Sequence, residues 1–222
     1  EPTPWAFAWR ASDRRRRVAA GFELAVDEKL FGCGESFTRL DKRGQKVTLW
    51  TTDAVGAQTR DMYKPIPFFL SSRGYGMFLH TSTAVTYVIG ATHDGALVIT
   101  PDDDAVDLFI FLGEPKDVLA EYTALTGRSP VPPAWSFGLW MSRISYMTER
   151  ETRGVAAKLR SLRVPCDVIH VDTGWFEADW RCDYEFSKKR FPTPRKMLAA
   201  LRRKGFHVSL WQLPYFTPNN RL

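Results

Sequence analysis

The sequence is poor in cysteine and has no long apolar run. Its 222 residues include three Cys without close pairs. This number argues against a disulfide framework and against a zinc site, and a reducing cytoplasm fits it best. No apolar stretch reaches the ~18 residues of a membrane-spanning helix. The N-terminal EPTPWAFAWR lacks the basic region and apolar stretch of a signal peptide. We therefore expect a cytoplasmic protein that has no membrane partner.

Signatures of nucleic-acid and nucleotide binding are also missing. The formal net charge is +6, and its most concentrated source is the run Arg14 to Arg17, which we interpret as a solvated turn between strands. No helix-turn-helix, finger or RNA-binding pattern accompanies the other basic residues, so no nucleic-acid partner is expected. A nucleotide-binding fold would have a glycine-rich turn after the first strand of the second half. The segment at that place, WMSRISYMTERE, contains no glycine, which disfavours such a fold.

The first 113 residues show the sequence pattern of short antiparallel strands. Two segments predict hairpins, one around Arg73-Gly74 and one around Asp94-Gly95, a dipeptide that two-residue turns favour. Further apolar, β-rich segments are VAAGFELAV, KVTLWTT and AVDLFIFLG. These segments predict a β-sandwich.

The pattern changes after residue 113. A helix is predicted over 115–126, beginning at Pro115, ended by Gly127, with Leu119, Tyr122 and Leu125 on one stripe. RSPVPPAW is then typical of a stiff linker. We place the domain boundary here: residues 1–128 form the sandwich, incomplete at its start, with its connecting helix, and residues 129–222 form the second domain.

The second domain alternates strands with helices. WSFGLWMS, CDVIHVD and FHVSLWQLPYF are predicted strands. Thr148 with Glu151 three residues later forms a capping box for the first helix, and TPRKMLAALRRKG is the second helix. Strand, helix, strand, helix, strand in this order predicts parallel strands with right-handed crossovers.

Asp172 follows the central strand and begins the triplet Asp-Thr-Gly. An aspartic protease carries this triplet in an all-β fold and needs a second such triplet or a symmetric partner, whereas this chain has one triplet and alternates strands with helices here. Ligands of parallel α/β folds bind at the carboxyl ends of strands, so Asp172 and Thr173 become candidate site residues. Trp211 ends the next strand. His170 should share the face of Asp172, and we interpret it as a core histidine.

The loop after Asp172 adds aromatic residues and acids. Trp175 and Trp180 would present exposed rings, while Glu177 and Asp179 are interpreted as solvated surface. A carboxylate that accepts hydroxyl hydrogen bonds beside rings that stack on apolar C–H surfaces suits a sugar.

These segments resemble glycoside hydrolase family 31, the retaining α-glycosidases that include α-xylosidases and α-glucosidases. The resemblance is carried by PPAWSFGLW, VIHVDTGWF, WRCDYEF, RFPTP and KGFHVSLWQLPYF, and upstream by LFGCGESFTRLDKRGQKVTLWTTDA and YKPIPFFLSSRGYGMFLH. It covers almost the whole chain from about Leu30 and is closest to bacterial α-xylosidase-like members. It implies a β-sandwich followed by the start of a (β/α)8 TIM barrel, with the first three strands and two helices only.

The resemblance implies roles for individual residues. Asp172 matches the aspartate that binds sugar hydroxyls in subsite −1, and Trp211 matches the tryptophan that walls this subsite. Asp53 matches an acid on a sandwich loop that reaches over the barrel mouth. Thr173 and Gly174 occupy positions where α-xylosidases carry bulkier or different residues. The choice between xylose and glucose as the substrate sugar therefore stays open. Trp180 falls near a family aromatic.

The family's catalytic carboxyl groups are expected beyond Leu222. Its nucleophile is an Asp in a Lys-x-Asp motif on the fourth barrel strand, and a retaining glycosidase needs a second carboxyl group ~5 Å away. We therefore expect no catalytic residue in this chain, no glycoside hydrolysis by it alone, and no cofactor or metal. The expected partner is an oligosaccharide or small α-glycoside. A homo-oligomer, a carbohydrate-binding remnant without turnover and an α-transglycosidase stay open.

Overall fold

The computed structural model describes residues 5–10, 15–54, 59–178 and 182–214, with side chains from residue 18 onward. The chain divides into two compact units, Glu1–Ser129 and Pro130–Leu222. Within the described ranges no helix is long and apolar enough to cross a membrane.

The first unit consists of two antiparallel sheets and one helix. One sheet has the order β1-β2-β8-β7-β4 and the other β3-β5-β6-β9. The strands are β1 Trp5–Arg10, β2 Arg15–Glu23, β3 Leu30–Gly32, β4 Gln45–Leu49, β5 Phe68–Ser71, β6 Tyr75–Leu79, β7 Val85–Ile89, β8 Ala96–Pro101 and β9 Leu108–Leu112. The hairpin predicted around Arg73-Gly74 is confirmed, because β5 pairs with β6 and Ser71 lies opposite Tyr75.

The two sheets share one apolar core. Alternate residues of β7 and β8 are buried, as expected for strands with one face on a core. Tyr87 and Ile99 from the first sheet belong to the same buried cluster as Phe69 and Leu79 from the second. This architecture fits the predicted β-sandwich.

Two turn predictions in this unit are wrong in detail. Arg15 to Arg17 lie inside β2, with Arg17 opposite Ala8, and not in a turn; Arg14 is outside the described residues. β7 pairs antiparallel with β8, which confirms the hairpin predicted around Asp94-Gly95, but residues 90–95 form a six-residue connection in place of a two-residue turn. Gly90 begins this connection with a φ of +59°, a conformation that glycine adopts easily.

Helix α1, Pro115–Thr126, begins and ends as predicted but packs through a different face. Val118 is buried and Tyr122 stacks on Phe68 at 4.1 Å, whereas Leu119 and Leu125 are exposed. A Cβ on Gly76 would lie 2.5 Å from Val118, so the glycine in β6 is what admits this side chain. Contact with the outer face of the four-stranded sheet selected the buried stripe.

The second unit is a three-stranded parallel sheet with two helices. The strand order is β10-β11-β12, with β10 at Trp140–Met141, β11 at Val168–Val171 and β12 at His207–Leu210. Both pairs are parallel, as predicted. The helices are α2, Glu149–Ser161, and α3, Pro194–Arg203. Strand, helix, strand, helix, strand fits the start of a TIM barrel.

The first strand of this unit is shorter than predicted. Ala134–Phe137 forms a 3₁₀ helix, so only the end of WSFGLWMS is extended. The capping box is also modified. The Thr148 hydroxyl accepts a hydrogen bond from the amide of Glu151 at 3.1 Å, but the Glu151 carboxylate binds the amide of Met147 and not that of Thr148.

The core of the second unit lies between its sheet and its helices. The buried residues include Ile169 and Val171 of β11, Ala156 and Leu159 of α2, and Met197 and Leu201 of α3, together with residues of the connecting segments such as Trp175 and Phe176. Among the described residues β12 pairs only with β11, so its other edge has no strand neighbour there. This core fixes the position of the carboxyl ends of β11 and β12.

Candidate functional site

Asp172 follows directly on β11 and begins a tight turn. Its Oδ1 accepts a hydrogen bond from the amide of Thr173 at 2.8 Å, which caps the short 3₁₀ helix Thr173–Trp175. The side chain is 22% exposed, so the carboxylate is partly accessible while its orientation is held. Placement at the carboxyl end of a parallel strand is the feature that the sequence predicts.

His170 lies beside Asp172 on the same face of β11, which confirms the prediction from strand alternation. Its Nε2 is 3.5 Å from Oδ2 of Asp172. Its Nδ1 is 3.1 Å from the hydroxyl of Ser209, the residue opposite it on β12. The histidine therefore has a polar neighbour on each ring nitrogen. Sequence reasoning missed Ser209, although strand pairing would have placed it opposite His170.

Thr173 and Gly174 are both buried against Ser145. The hydroxyls of Thr173 and Ser145 are 3.0 Å apart, and the Gly174 amide donates to Ser145 Oγ at 2.7 Å. Ser145 has a φ of +56°, in the left-handed region that side chains other than glycine seldom adopt. A Cβ on Gly174 would lie 2.9 Å from the Ser145 Cβ, so no side chain fits there without a shift.

Arg190 holds the opposite side of the same turn. Its Nε donates to the carbonyl of Gly174 at 3.1 Å, and its guanidinium also donates to the carbonyl of Phe176. Gly174 is thus bound at its amide by Ser145 and at its carbonyl by Arg190. Sequence reasoning also missed Arg190, because its role depends on the path of the loop between β11 and α3.

Trp211 joins the end of β12 to the turn. Its amide donates to the carbonyl of Val171 at 2.9 Å, and its carbonyl accepts a hydrogen bond from the Trp175 indole at 2.8 Å. Its half-buried ring meets Phe176 edge to face, with ring centroids 6.2 Å apart. Trp211 therefore follows the strand next to that of Asp172, as predicted.

The expectation of an exposed Trp175 ring is wrong. Trp175 is 4% exposed and packs against Phe176 and Phe186 in the core. Its hydrogen bond to Trp211 makes it a support for the site, and a sugar contact by its ring stays a prediction.

Trp180 and Asp179 lie outside the described residues. Glu177 is exposed, as expected for a surface residue.

Asp53 belongs to the first unit and is an exposed carboxylate. It accepts a hydrogen bond from the hydroxyl of Tyr63. This hydrogen bond is the main cause of a raised pKa of Tyr63, with smaller effects from partial desolvation and the charge of Asp53. Its proposed reach over the barrel mouth stays a prediction.

Two ionisable groups near the site have shifted pKa values. Burial raises the pKa of Tyr146, whose ring lies under the Arg143 guanidinium at 5.5 Å. Burial alone would raise the pKa of Glu149 too, but hydrogen bonds from Thr193 and Arg153 outweigh it and lower that pKa. Within the described part of the chain, no group of three or more His, Cys, Asp or Glu could hold a metal ion.

Two family models match most of the chain. The glycosyl hydrolase family 31 N-terminal galactose mutarotase-like domain matches residues 6–87. The glycosyl hydrolases family 31 TIM-barrel domain matches residues 129–221. The first match lies within the first compact unit, and the second covers nearly all of the second unit.

Curated relatives and a solved structure agree with these matches. An α-xylosidase of Lactiplantibacillus pentosus is 33% identical over the whole chain and 29% of its own length. An α-glucosidase of Bacillus thermoamyloliquefaciens is 35% identical over 82% of the chain and 24% of its length. The family 31 dextranase of Flavobacterium johnsoniae, solved with glucose, has a TM-score of 0.83 at 30% identity, covering 92% of this chain and 25% of that one.

The chain thus spans between 24% and 29% of the length of these relatives. Its two units, its parallel strand order and its matches to both domain models agree. The chain belongs to glycoside hydrolase family 31, and it corresponds to the N-terminal domain and part of the TIM-barrel domain of that family.

Proposed function

We propose that these residues are the N-terminal part of a retaining α-glycosidase that acts on α-xylosides or α-glucosides. In the proposal, Asp172 and Trp211 bind the sugar in subsite −1, and Asp53 reaches the same substrate from the sandwich. The observation that carries the proposal is the Asp172 carboxylate, oriented at the end of a parallel strand beside Trp211, in a chain of this family.

The proposed role of Asp172 is transition-state binding. A carboxylate that accepts hydrogen bonds from sugar hydroxyls binds them more strongly as the ring flattens and positive charge develops. Its Oδ1 is held by the Thr173 amide, and the turn behind it is held by Ser145 and Arg190. An acceptor fixed in this way needs little reorganisation when the charge develops.

The chemistry itself is assigned to a pair of carboxyl groups elsewhere in the protein. One carboxylate attacks the anomeric carbon while the other, protonated, donates its proton to the leaving oxygen. Water then hydrolyses the glycosyl-enzyme bond with net retention. No metal or cofactor takes part in the proposed reaction.

Sugar choice is proposed to depend on the turn after Asp172. The resemblance implies that α-xylosidases carry other residues at the positions of Thr173 and Gly174, and both residues are buried against Ser145. The relatives include both an α-xylosidase and an α-glucosidase. The proposal therefore names both sugars as substrates to compare.

The first test is genetic and enzymatic. The coding sequence past Leu222 should contain a strand that ends in Lys-x-Asp within about a hundred codons, since a complete barrel has ~250 residues. The complete protein should hydrolyse 4-nitrophenyl α-D-xylopyranoside or α-D-glucopyranoside, with the α-anomer as the first product by proton NMR. Hydrolysis of neither substrate would reject the proposal.

Asp172→Asn in that protein tests the assigned role. We expect kcat/KM to fall by about a hundredfold or more, because an amide replaces a charged acceptor of hydroxyl hydrogen bonds. Glu177→Gln, an exposed change in the same loop, is the control and should leave kcat/KM unchanged. Equal activity of Asp172→Asn and wild type would remove Asp172 from the site.

Product analysis separates the two alternatives. Binding of a sugar without turnover identifies a carbohydrate-binding protein. Transfer of the sugar to an added acceptor, in place of release to water, identifies a transglycosidase with the same carboxyl pair.

A further inference from the structure

Three polar side chains form a row across β12 and β11: Ser209, His170 and Asp172. Ser209 and His170 are register partners on neighbouring parallel strands, and Asp172 lies two residues beyond His170 on the same face. The Ser209 hydroxyl is 3.1 Å from Nδ1, and Nε2 is 3.5 Å from Oδ2 of Asp172. The imidazole therefore stands between a hydroxyl and the carboxylate.

The carboxylate of Asp172 determines which tautomer of His170 fits between the two neighbouring groups. An ionised carboxylate only accepts, so the ring nitrogen that faces Asp172 is the one that carries hydrogen. In a neutral imidazole the other nitrogen is then an acceptor, and it receives the Ser209 hydroxyl hydrogen. The Asp172 carboxylate thereby selects the tautomer, and the Ser209 hydroxyl, which can donate or accept, fits it.

The two oxygens of Asp172 have different neighbours. Oδ1 is fixed at 2.8 Å by the Thr173 amide, whereas Oδ2 faces Nε2 at the longer distance of 3.5 Å. The first contact is a hydrogen bond of usual length, and the second is longer than one. The Thr173 amide therefore anchors one oxygen, and the imidazole limits where the other oxygen can turn.

We propose that His170 is a positioning residue that orients the Asp172 carboxylate for sugar hydroxyls, with Ser209 hydrogen-bonded to its Nδ1. The proposal rests on the proposed function, because it assigns His170 to the same site. A histidine that only filled the core would also need polar neighbours, so the position of Nε2 beside Oδ2 of Asp172 is the observation that carries the proposal. The His170 side chain is also 21% exposed, close to the value for Asp172.

Two substitutions distinguish the roles of the two ring nitrogens of His170. His170→Gln places an amide N–H near the position of Nε2, and His170→Asn places one near Nδ1. We expect kcat/KM of the complete protein to stay within about threefold for His170→Gln and to fall by about tenfold to a hundredfold for His170→Asn, because a small misplacement of a group that binds the reacting sugar can cost this much rate. The loss should be larger in kcat than in binding, because Asp172 binds the sugar hydroxyls in the ground state and binds them more strongly in the transition state.

A double-mutant cycle distinguishes positioning from packing. In an Asp172→Asn background, adding His170→Asn should change kcat/KM by less than about twofold, because coupled residues are not additive. Fully additive losses would overturn the proposal. His93→Asn, at an exposed site between β7 and β8, is the matched control and should equal wild type.

The outcomes also separate this proposal from the proposed function. If Asp172→Asn abolishes activity while His170→Asn equals wild type, only the positioning role fails. If His170→Asn does not fold, Ser209→Ala replaces it: a loss that vanishes in the Asp172→Asn background supports the role, and no loss overturns it.

If the complete protein shows no turnover, the binding of sugars tests the role of His170. Calorimetric titration with methyl α-D-xylopyranoside and methyl α-D-glucopyranoside compares wild type with His170→Asn. Weaker binding by the variant supports the role, and equal binding overturns it. No binding of either sugar to wild type overturns both proposals.

Discussion

Gly174 is the residue at which the turn after Asp172 is most tightly enclosed. Its amide is bound to Ser145 and its carbonyl to Arg190. A Cβ would meet the Cβ of Ser145 at 2.9 Å and the sulfur of Met147 at 3.0 Å. The absence of a side chain at this position is therefore required by packing in this structure.

We expect Gly174→Ala to lower the free energy of unfolding by about 1–3 kcal/mol, the usual cost of overpacking. Urea unfolding followed by tryptophan fluorescence measures the change. Gly154→Ala is the matched control: it lies in α2, where an added methyl group would have nothing within 4 Å, and should raise the free energy of unfolding by about 0.5–1 kcal/mol. Equal effects of the two variants would contradict the packing argument.

Residue faces on the sheet were predictable, and burial in loops was not. Strand alternation places His170 and Asp172 on one face, which the 3.5 Å contact confirms. Trp175 is buried against expectation, because the turn directs its indole to the Trp211 carbonyl. A loop has no period from which such a direction could be inferred.

Among the helices, Glu149 joins the first turns of α2 and α3. Its carboxylate accepts hydrogen bonds from the Thr193 amide at 2.9 Å and the Thr193 hydroxyl at 2.7 Å, and it pairs with Arg153. Thr193 directly precedes α3. The pKa of Glu149 is lowered because these hydrogen bonds favour the charged form more than burial disfavours it.

The lowered pKa predicts a pH dependence of stability. The ionised carboxylate stabilises the folded chain at every pH above the ordinary pKa of 4.5, and this contribution is lost as the pH falls through the lower, folded-state pKa. Glu149→Gln should lower the free energy of unfolding at pH 7 by about 1–3 kcal/mol. The difference from wild type should shrink below the ordinary pKa.

Urea titrations of wild type and Glu149→Gln from neutral to acid pH measure this difference. Glu185→Gln, an exposed change in the same unit, should follow wild type at every pH. A difference between Glu149→Gln and wild type that stayed constant down to acid pH would contradict the assignment.

The residues at which helices begin and end were easier to predict from the sequence than the side of a helix that is buried. Pro115 and Gly127 bound α1 as predicted, since proline suits a first helical turn and Gly127 adopts a φ of +105°. The buried stripe of α1 differs from the predicted one, because both stripes are apolar and only the sheet decides between them. The 3₁₀ helix Ala134–Phe137 falls in a segment predicted as strand, since a short apolar segment has no distinctive period.

Along the chain as a whole, the segment between the two units is exposed. Residues 127–133 are all exposed and follow directly on α1. Arg128 lies in this segment, with its guanidinium on the carbonyl of Ala120 at 3.2 Å. Exposed backbone outside helices and sheets is the preferred substrate of proteases.

Trypsin should therefore cut the native protein after Arg128, and one product should begin at Ser129. Mass spectrometry of a short digestion checks the cut. Arg128→Gln should remove it, whereas Lys116→Gln in the first turn of α1 should leave it unchanged. Resistance of the 128–129 bond in the native protein would show that this segment is protected.

The amino-acid sequence alone was enough to predict the antiparallel half, the alternating half, most element ends and the strand-end position of Asp172. These follow from local periods, turn residues and the handedness of crossovers, which act over a few neighbouring residues. Tertiary packing was needed to show that Ser145 and Arg190 bind opposite sides of Gly174, that Trp175 is buried and that Ser209 meets His170. Each of these contacts joins residues far apart in the chain, so its geometry exists only once the strands and the loop between β11 and α3 have packed together.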